Sequence, residues 1–310
     1  MMAKLTIVGA GNLGSQAAFY SALKGFADIV LVDIVEGMPQ GKALDMQQAM
    51  AVEGSNVKIV GSNDYEATKD SDVVIIPAGI PRKPGMARED LLATNAKILK
   101  SVIPSVVKYS PNSVLIIVTN PLDAMVYLAY KLSGFPKNRV IGMAGVLDSA
   151  RFRTFVAQEL KEDINNIQAM VLGSHGDLMV PLLNHCKVKG KPIKELIDDK
   201  RLSEIVERTR KGGAEIVGLL KTGSAFFAPG LSAAEMAESI IKDQKKILPC
   251  AALCEGEYDI NGVFVGVPAK LGKQGVEEIV ELELNEEEKN ALQKSVEHIK
   301  LVVKKMEELI

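Results

Sequence analysis

One histidine, and an aspartate with an arginine three residues later, are the residues whose types and spacing could do chemistry. His175 lies in "GSHGD" at the end of an apolar run, and Asp148 and Arg151 lie together in "LDSAR". A histidine exchanges protons near neutral pH, and a carboxylate can orient its ring and stabilise the imidazolium. Asp148 is the candidate for that carboxylate, and Asp177 is its nearer rival in sequence. A structural histidine without a catalytic task is the alternative interpretation of His175.

Arg151 follows Asp148 by three residues, so both side chains share one face if this stretch is a helix. A guanidinium in that position can hold the carboxylate of a substrate through two parallel hydrogen bonds. A surface salt bridge within a helix is the alternative for the same spacing. The sequence by itself leaves both alternatives open.

A glycine-rich turn near the N-terminus predicts a dinucleotide site. The segment "GAGNLG" has the pattern G-x-G-x-x-G, and it follows an apolar strand and opens a helical pattern. Gly9 permits a tight turn, Gly11 lets the backbone approach a pyrophosphate, and Gly14 lets the helix pack closely on the strand. The helix N-terminus then offers unpaired N–H groups to the phosphates. A plain strand–helix turn is the alternative.

Asp33 ends the next apolar run, close to the expected spacing of about 20 residues after the glycines. Its carboxylate can accept hydrogen bonds from both ribose hydroxyls and would repel a 2′-phosphate, and no arginine follows it in "DIVEG". These features favour NAD over NADP. The residues expected to contact the cofactor in this first unit are Asp33 and the fingerprint residues Gly9, Ala10, Gly11, Asn12, Leu13 and Gly14.

The elements of the first half predict an α/β domain with a parallel sheet. Apolar runs that do not alternate with polar residues indicate strands covered on both faces. Such runs occur at 4–8, 28–33, 71–79, 113–120 and 139–143, with helical patterns between them, such as 12–25 and 88–109. Pro104 is expected to bend or break the second of these helices.

The pattern changes after about residue 145. A helix is predicted over 148–161, a strand over 167–176, an antiparallel unit over 258–282 and an amphipathic helix at the C-terminus. A chain of 310 residues is long enough for two domains. We therefore predict a dinucleotide-binding domain over 1–144 and a catalytic, substrate-binding domain over 145–310.

Composition excludes several classes of function. The net charge of −2 argues against a general nucleic-acid surface, and no apolar run approaches the roughly 18 residues of a membrane span. The N-terminus enters a strand without the layout of a signal peptide, and three cysteines fit a reducing cytoplasm. The spacing of Cys250 and Cys254, and of His185 beside Cys186, does not match common zinc sites, so no metal is expected.

Six stretches in a fixed order carry a resemblance to a known family. They are "IVGAGNLG", "LVDI", "PAGIPRKPGMARED", "VTNPLDAM", "GVLDSARFR" and "GSHGD". On these stretches the chain resembles the lactate and malate dehydrogenases over nearly its whole length. The resemblance implies a Rossmann domain with a doubly wound parallel sheet, followed by an α+β substrate-binding domain. It also implies NAD as cofactor and assembly into a homodimer or homotetramer.

The resemblance also implies roles for individual residues. His175 would be proton donor and acceptor with Asp148 as its partner, and Arg151 would bind the substrate carboxylate. Arg88, on a closing loop, would polarise the C2 oxygen. Asn120 would touch both substrate and cofactor, through a cis bond to Pro121. Further residues expected at the cofactor or substrate are Asn95, Val118, Thr119 and Ser224.

The position of Arg82 separates substrates in the family that the chain resembles. Lactate dehydrogenases tend to have a neutral glutamine there, and malate dehydrogenases have arginine. A dicarboxylate in a closed, dry pocket needs a second cation for its distal charge, in addition to Arg151. The resemblance therefore implies malate and oxaloacetate as substrates, with a lactate or other 2-hydroxyacid dehydrogenase as the alternative. A non-catalytic NAD-binding scaffold on the same fold is the alternative of another class.

Overall fold

The computed structural model of the protein describes residues 2–80 and 88–309. Its first half builds a parallel sheet with the strand order β3-β2-β1-β4-β5-β6. The strands are β1 (Lys4–Val8), β2 (Asp28–Val32), β3 (Ile59–Ser62), β4 (Val73–Ile76), β5 (Val114–Ile117) and β6 (Val140–Gly142). This order is that of the dinucleotide-binding fold. The predicted α/β class and parallel sheet are confirmed.

Helices cover both faces of this sheet, which explains why its strands are apolar throughout. Within β4, Val73 and Ile75 point into one core cluster, whereas Val74 and Ile76 point into the cluster on the other face. Successive side chains of a strand alternate between faces, so a strand buried on both faces shows no polar alternation. The helices are α1 (Asn12–Leu23), α2 (Met38–Glu53), α3 (Arg88–Tyr109) and α4 (Leu122–Ser133).

The second half extends the same sheet with antiparallel strands. The order continues β6-β12-β13-β8-β9, with β14 paired to β13, and a small separate sheet has the order β11-β10-β7. The elements are α5 (Gly145–Leu160), β7 (Ile167–Gln168), β8 (Val171–Gly173), β9 (Met179–Pro181), β10 (Lys187–Val188), β11 (Lys191–Pro192), α6 (Asp199–Leu220), α7 (Phe227–Ile241), β12 (Lys246–Glu255), β13 (Asn261–Gly272), β14 (Gly275–Ile279) and α8 (Glu286–Leu309). The predicted antiparallel unit and the C-terminal helix are confirmed.

The helix α3 runs through Pro104 without a break, so of the expected bend or break at this proline, the break is wrong. A proline removes one helical N–H and crowds the preceding turn, which weakens a helix but leaves packing free to hold it. Leu99, Ile103 and Val106 are all buried in the core on this helix. Tertiary burial on both sides of the proline therefore outweighs the local penalty.

The three cysteines, Cys186, Cys250 and Cys254, are unpaired and buried, as their apolar surroundings predict. Burial raises the pKa of each thiol to about 12, which keeps these thiols protonated and unreactive. Among residues 2–80 and 88–309, no helix combines the length and the apolar character needed to cross a bilayer.

Candidate active site

The glycine-rich turn has the shape that a dinucleotide site requires. Gly9 has a φ of 121°, a conformation that residues with a Cβ rarely adopt. A Cβ at Gly14 would lie 1.8 Å from the carbonyl oxygen of Gly9, so only glycine lets α1 start this close to β1. At Gly11 a Cβ would meet nothing within 4 Å, which leaves open space at the helix start. No side chain caps α1 at this residue. Its first N–H groups are therefore available to a phosphate.

Asp33 ties this turn to the end of β2. Its Oδ2 accepts a hydrogen bond of 2.7 Å from the backbone N–H of Ala10, and its Oδ1 accepts one of 3.0 Å from Val35. On the other side of the turn, the Nζ of Lys42 donates to the carbonyl oxygen of Ala10 at 2.6 Å. A carboxylate has about four acceptor positions, so these two bonds leave room for hydroxyl donors. The site can therefore hold a ribose with two free hydroxyls.

Asn95 joins the segments that follow β4 and β5. Its Oδ1 accepts from the N–H of Ile80 at 2.8 Å, and its Nδ2 donates to the carbonyl oxygens of Ile80 at 3.2 Å and Asn120 at 2.7 Å. The residue is 1% exposed. Its amide is therefore engaged with the backbone, and Asn95 holds the wall of the predicted cofactor site rather than presenting a free polar group.

The segment after β5 completes this wall. Val118 and Thr119 are buried, and the Oγ1 of Thr119 lies 3.0 Å and 2.7 Å from the carbonyl oxygens of Ile76 and Ala78. Asn120 is exposed, and its bond to Pro121 is cis, which confirms that expectation. Two neighbouring strand ends are thus fixed to each other at the carboxyl edge of the sheet.

His175, Asp148 and Arg151 come together at the same edge. The Nδ1 of His175 lies 2.9 Å from Oδ2 of Asp148, and Nη1 of Arg151 donates to Oδ1 of Asp148 at 3.2 Å. Gly173, with a φ of 83°, ends β8 two residues before the histidine, and Asp148 lies in the first turn of α5. The side chain of Asp148 is 2% exposed, whereas Asp177 is exposed. The structure therefore pairs His175 with Asp148 and not with Asp177.

The surroundings of His175 raise its pKa. Burial acts to lower the pKa of the imidazole, but the charge of Asp148 and the hydrogen bond to it outweigh burial, with a further contribution from Asp123. The proton on Nδ1 is assigned from this hydrogen bond, because an ionised carboxylate can only accept. Nε2 is consequently the ring nitrogen that can exchange a proton with a substrate.

Two models of known protein families match the chain. The family described as "lactate/malate dehydrogenase, NAD binding domain" matches residues 3–142, and the family described as "lactate/malate dehydrogenase, alpha/beta C-terminal domain" matches residues 145–310. The chain belongs to the lactate/malate dehydrogenase family. It is thus an NAD-dependent oxidoreductase, and the predicted family and cofactor are confirmed.

Individual members of the lactate/malate dehydrogenase family are similar over nearly their full lengths. A malate dehydrogenase of Bacillus israeli is 55% identical over 303 residues, which cover 97% of each chain. The structure of malate dehydrogenase from Salinibacter ruber matches with a TM-score of 0.95 at 50% identity, covering 99% of this chain and 98% of that one. A lactate dehydrogenase of Cryptosporidium parvum, complexed with lactic acid and NAD, matches with a TM-score of 0.96 at 44% identity, with coverage of 99% and 98%. The fold alone therefore does not decide the substrate.

Two features of this family member were not found by sequence reasoning. A Cβ at Gly212 would lie 3.2 Å from Cδ of Arg151, and one at Gly213 would lie 3.4 Å from its Nη2. Adjacent glycines inside a helix are unfavourable by about 1 kcal/mol each relative to alanine, which could have indicated a close approach. The second missed residue is Asp123, whose Oδ2 accepts from the backbone N–H of His175 at 3.3 Å.

Three predicted site residues have not yet been located in the fold: Arg82, Arg88 and Ser224. Arg82 lies outside the described residues. Arg88 begins α3, and its side chain lies outside the described part of the chain. Ser224 is exposed in the segment between α6 and α7.

A concavity lies at the opposite edge of the sheet. It has a volume of about 640 Å³, and Asp72, Asn112 and Arg139, which line it, precede β4, β5 and β6. Ligands of open α/β sheets bind outside the carboxyl ends of the strands. The position of His175 and of the glycine turn therefore favours the carboxyl edge as the active site of this dehydrogenase.

Proposed function

We propose that this chain is an NAD-dependent malate dehydrogenase that interconverts (S)-malate and oxaloacetate. The observation that carries the reaction type is the pair of half-buried His175 and buried Asp148, with Arg151 bonded to the same carboxylate. The substrate is supported by the curated relatives, which at 53% to 56% identity are named malate dehydrogenase.

His175 is the proton acceptor of the proposed mechanism. With Nδ1 donating to Asp148, the neutral ring presents Nε2 to the malate hydroxyl and takes its proton as the alcohol is oxidised. Asp148 stays ionised and stabilises the imidazolium that forms. In the reverse direction His175 must begin protonated, so reduction of oxaloacetate should favour lower pH than oxidation of malate.

Arg151 is the proposed holder of the substrate's first carboxylate. One of its five guanidinium N–H groups is used by Asp148, and its Nε makes no hydrogen bond within the described residues. Its remaining donors can form a bidentate pair with a carboxylate. Gly212 and Gly213 leave room for the guanidinium to lie against α6.

The cofactor site fits NAD. The open approach at Gly11 and the uncapped start of α1 suit a pyrophosphate, and Asp33 retains acceptors for ribose hydroxyls. When bound, NAD⁺ supplies the acceptor of the hydride that leaves C2 of malate. The chain itself orients the alcohol, removes its proton at Nε2 of His175 and excludes water.

Arg82 and Arg88 complete the proposed site. Arg82 would neutralise the distal carboxylate of the dicarboxylate, and Arg88 would stabilise negative charge on the C2 oxygen. Asn120 and Ser224 are proposed as further substrate contacts. The domain boundary near residue 144, the homodimer or homotetramer and the cytoplasmic location stay predictions from the sequence.

Rates of NADH consumption with oxaloacetate and with pyruvate test this function. A malate dehydrogenase should turn over oxaloacetate with a kcat/KM at least about 100-fold above that for pyruvate, because an unpaired charged group in a closed pocket is strongly unfavourable. A preference for pyruvate would assign the chain to the lactate alternative. NADH binding without turnover of either keto acid would assign it to the non-catalytic scaffold.

A further inference from the structure

Asp123 is a half-buried residue beside the catalytic pair that the mechanism above does not use. It lies in the first turn of α4, directly after the segment of Asn120 and Pro121. Its Oδ2 accepts the backbone N–H of His175 at 3.3 Å. His175 is therefore held from two elements, by α4 through its backbone and by α5 through its ring, where Asp148 bonds Nδ1.

The second oxygen of Asp123 is buried and makes no hydrogen bond with any described residue. A buried carboxylate oxygen without a donor is unfavourable when the group is ionised and is relieved when the group takes up a proton. The hydrogen bond from the backbone of His175 and any positive charge on its ring act in the opposite direction. Burial therefore favours the protonated form of Asp123, and a protonated His175 ring favours its ionised form.

The charges in this cluster can be counted. Asp123, Asp148 and Arg151 carry one net negative charge when all three are ionised and the ring of His175 is neutral. Protonation of His175 brings this largely water-shielded cluster to neutrality, and protonation of Asp123 does so as well. Because net charge is unfavourable away from water, the two groups compete for one proton.

We propose that Asp123 is a positioning residue whose negative charge raises the proton affinity of His175 and couples the two titrations. With Asp123 ionised, the imidazolium needed for reduction is favoured; with Asp123 protonated, the ring gives up its proton more readily. This inference rests on the proposed function only where it says which direction of the reaction an ionised Asp123 favours. The coupling between the two titrations is a property of the protein without substrate.

Among the described residues, the charged groups with the largest effects on the ionisation of Asp123 are His175 and Asp148, and Arg151 in turn acts on His175. From α8, Ser295 contributes a hydroxyl that accepts the N–H of Ser174 at 2.6 Å. From α3, Asn95 contributes a neutral amide bonded to the carbonyl oxygen of Asn120. Burial raises the pKa of Asp123 to about 7, in the same range as the ordinary pKa of histidine.

The direct test is an NMR titration of the His175 ring in Asp123→Asn and in the unaltered full-length chain, without substrate. The chain has only three histidines, so His185→Gln and His298→Gln variants assign the signals. The asparagine side chain of the Asp123→Asn variant keeps an oxygen that can accept the backbone N–H and removes the charge. We expect the pKa of His175 to fall by about half a unit or more in Asp123→Asn.

Asp177→Asn is the matched control, because it removes the same charge from an exposed residue two positions after His175. It should lower the pKa of His175 by less than half of the change in Asp123→Asn. A pKa of His175 that is unchanged or higher in Asp123→Asn would overturn the proposal. So would an equal change in both variants.

A second measurement does not depend on the folding of the variant. The ¹³Cγ signal of Asp123 in the unaltered protein should titrate above pH 5.5 or so, and a titration near the ordinary value of about 4 would overturn the coupling. Failure of the proposed function is distinguishable, because it leaves these titrations as expected while oxaloacetate is not reduced. Failure of the coupling leaves oxaloacetate reduction intact.

Discussion

Nδ1 of His175 lies 2.9 Å from Oδ2 of Asp148, although 27 positions separate the two residues in the chain. The contact joins the segment after β8 to the first turn of α5 and fixes which ring nitrogen carries the mobile proton. Asp148 is almost completely buried, so it acts on the imidazole with little screening by water. This relationship gives the site both its geometry and its pH dependence.

Replacing Asp148 by asparagine should lower kcat for oxaloacetate reduction by about 100-fold to 10,000-fold, because an amide neither fixes the Nδ1–H tautomer nor stabilises the imidazolium. The pKa of His175 should also fall, since the charge of Asp148 is what raises it. The pH profile of kcat/KM measures both effects. Asp177→Asn removes an equal charge nearby and should stay within a few-fold of the unaltered enzyme. Equal losses in the two variants would contradict the assigned pairing.

Replacing Arg151 by lysine should lower kcat/KM for oxaloacetate by roughly 100-fold or more, because an ammonium group cannot bind a carboxylate through two parallel bonds. The affinity for NADH, measured by fluorescence titration, should be unchanged. Arg153→Lys is the matched control on the same helix, since the guanidinium of Arg153 bonds the carbonyl oxygen of Ile164 instead. If Arg151→Lys weakens NADH binding rather than keto-acid turnover, Arg151 does not hold the substrate.

Alanine at Gly14 and at Gly11 should have different effects. A Cβ at Gly14 would collide with the carbonyl oxygen of Gly9 at 1.8 Å, so the first variant should lose both thermal stability and NADH binding. A Cβ at Gly11 meets nothing within 4 Å, so the second should keep its Tm and bind NADH at least about 10-fold more weakly, because the methyl group occupies the approach of the pyrophosphate. Thermal denaturation and NADH titration separate the two. Unchanged NADH affinity in Gly11→Ala would argue against this turn as the phosphate site.

Asp123 should make the stability of the fold depend on pH. Its pKa is raised from 3.8 to about 7, so between these values the folded chain keeps a proton that the unfolded chain has released. The free energy of unfolding therefore decreases as pH rises through this window. His175, whose pKa is also raised, adds a loss of stability in the same direction as pH rises through its folded pKa.

The difference in Tm between the unaltered chain and Asp123→Asn isolates the contribution of Asp123 from that of other groups. The unaltered chain should gain stability relative to the variant when the pH is lowered from about 8 to about 5.5, as measured by thermal denaturation. A difference that is constant over this range would show that Asp123 does not titrate there.

The parts of the fold that could be predicted are those with a strong local pattern. The run 4–8 is the strand Lys4–Val8, and the glycine turn opens a helix at Asn12. Asp148 and Arg151 were expected on one helical face, and both bond within one site. These positions follow from periodicity and from residue types with few alternative uses.

The strand β12 was not predicted, because Pro249 interrupts its pattern and proline is rare inside a sheet. In the structure β12 pairs along its length with β13, but with β6 only at Ala251 and Gly142. Pro249 lies opposite Pro268 in the pairing with β13, and since neither residue has an N–H, the two strands exchange no hydrogen bonds at this pair. The role of Asp123 was not predicted either, because its contact with His175 depends on tertiary structure that no local sequence pattern encodes.

The most direct test of the account is the ratio of kcat/KM for oxaloacetate to that for pyruvate in Arg82→Gln, with Lys83→Gln as the control of equal charge at the next position. The account predicts that Arg82→Gln lowers this ratio by about 100-fold or more, because the distal carboxylate loses its cation, while Lys83→Gln changes it by less than about threefold. A ratio that Arg82→Gln leaves unchanged would contradict the assignment of a dicarboxylate held by two guanidinium groups.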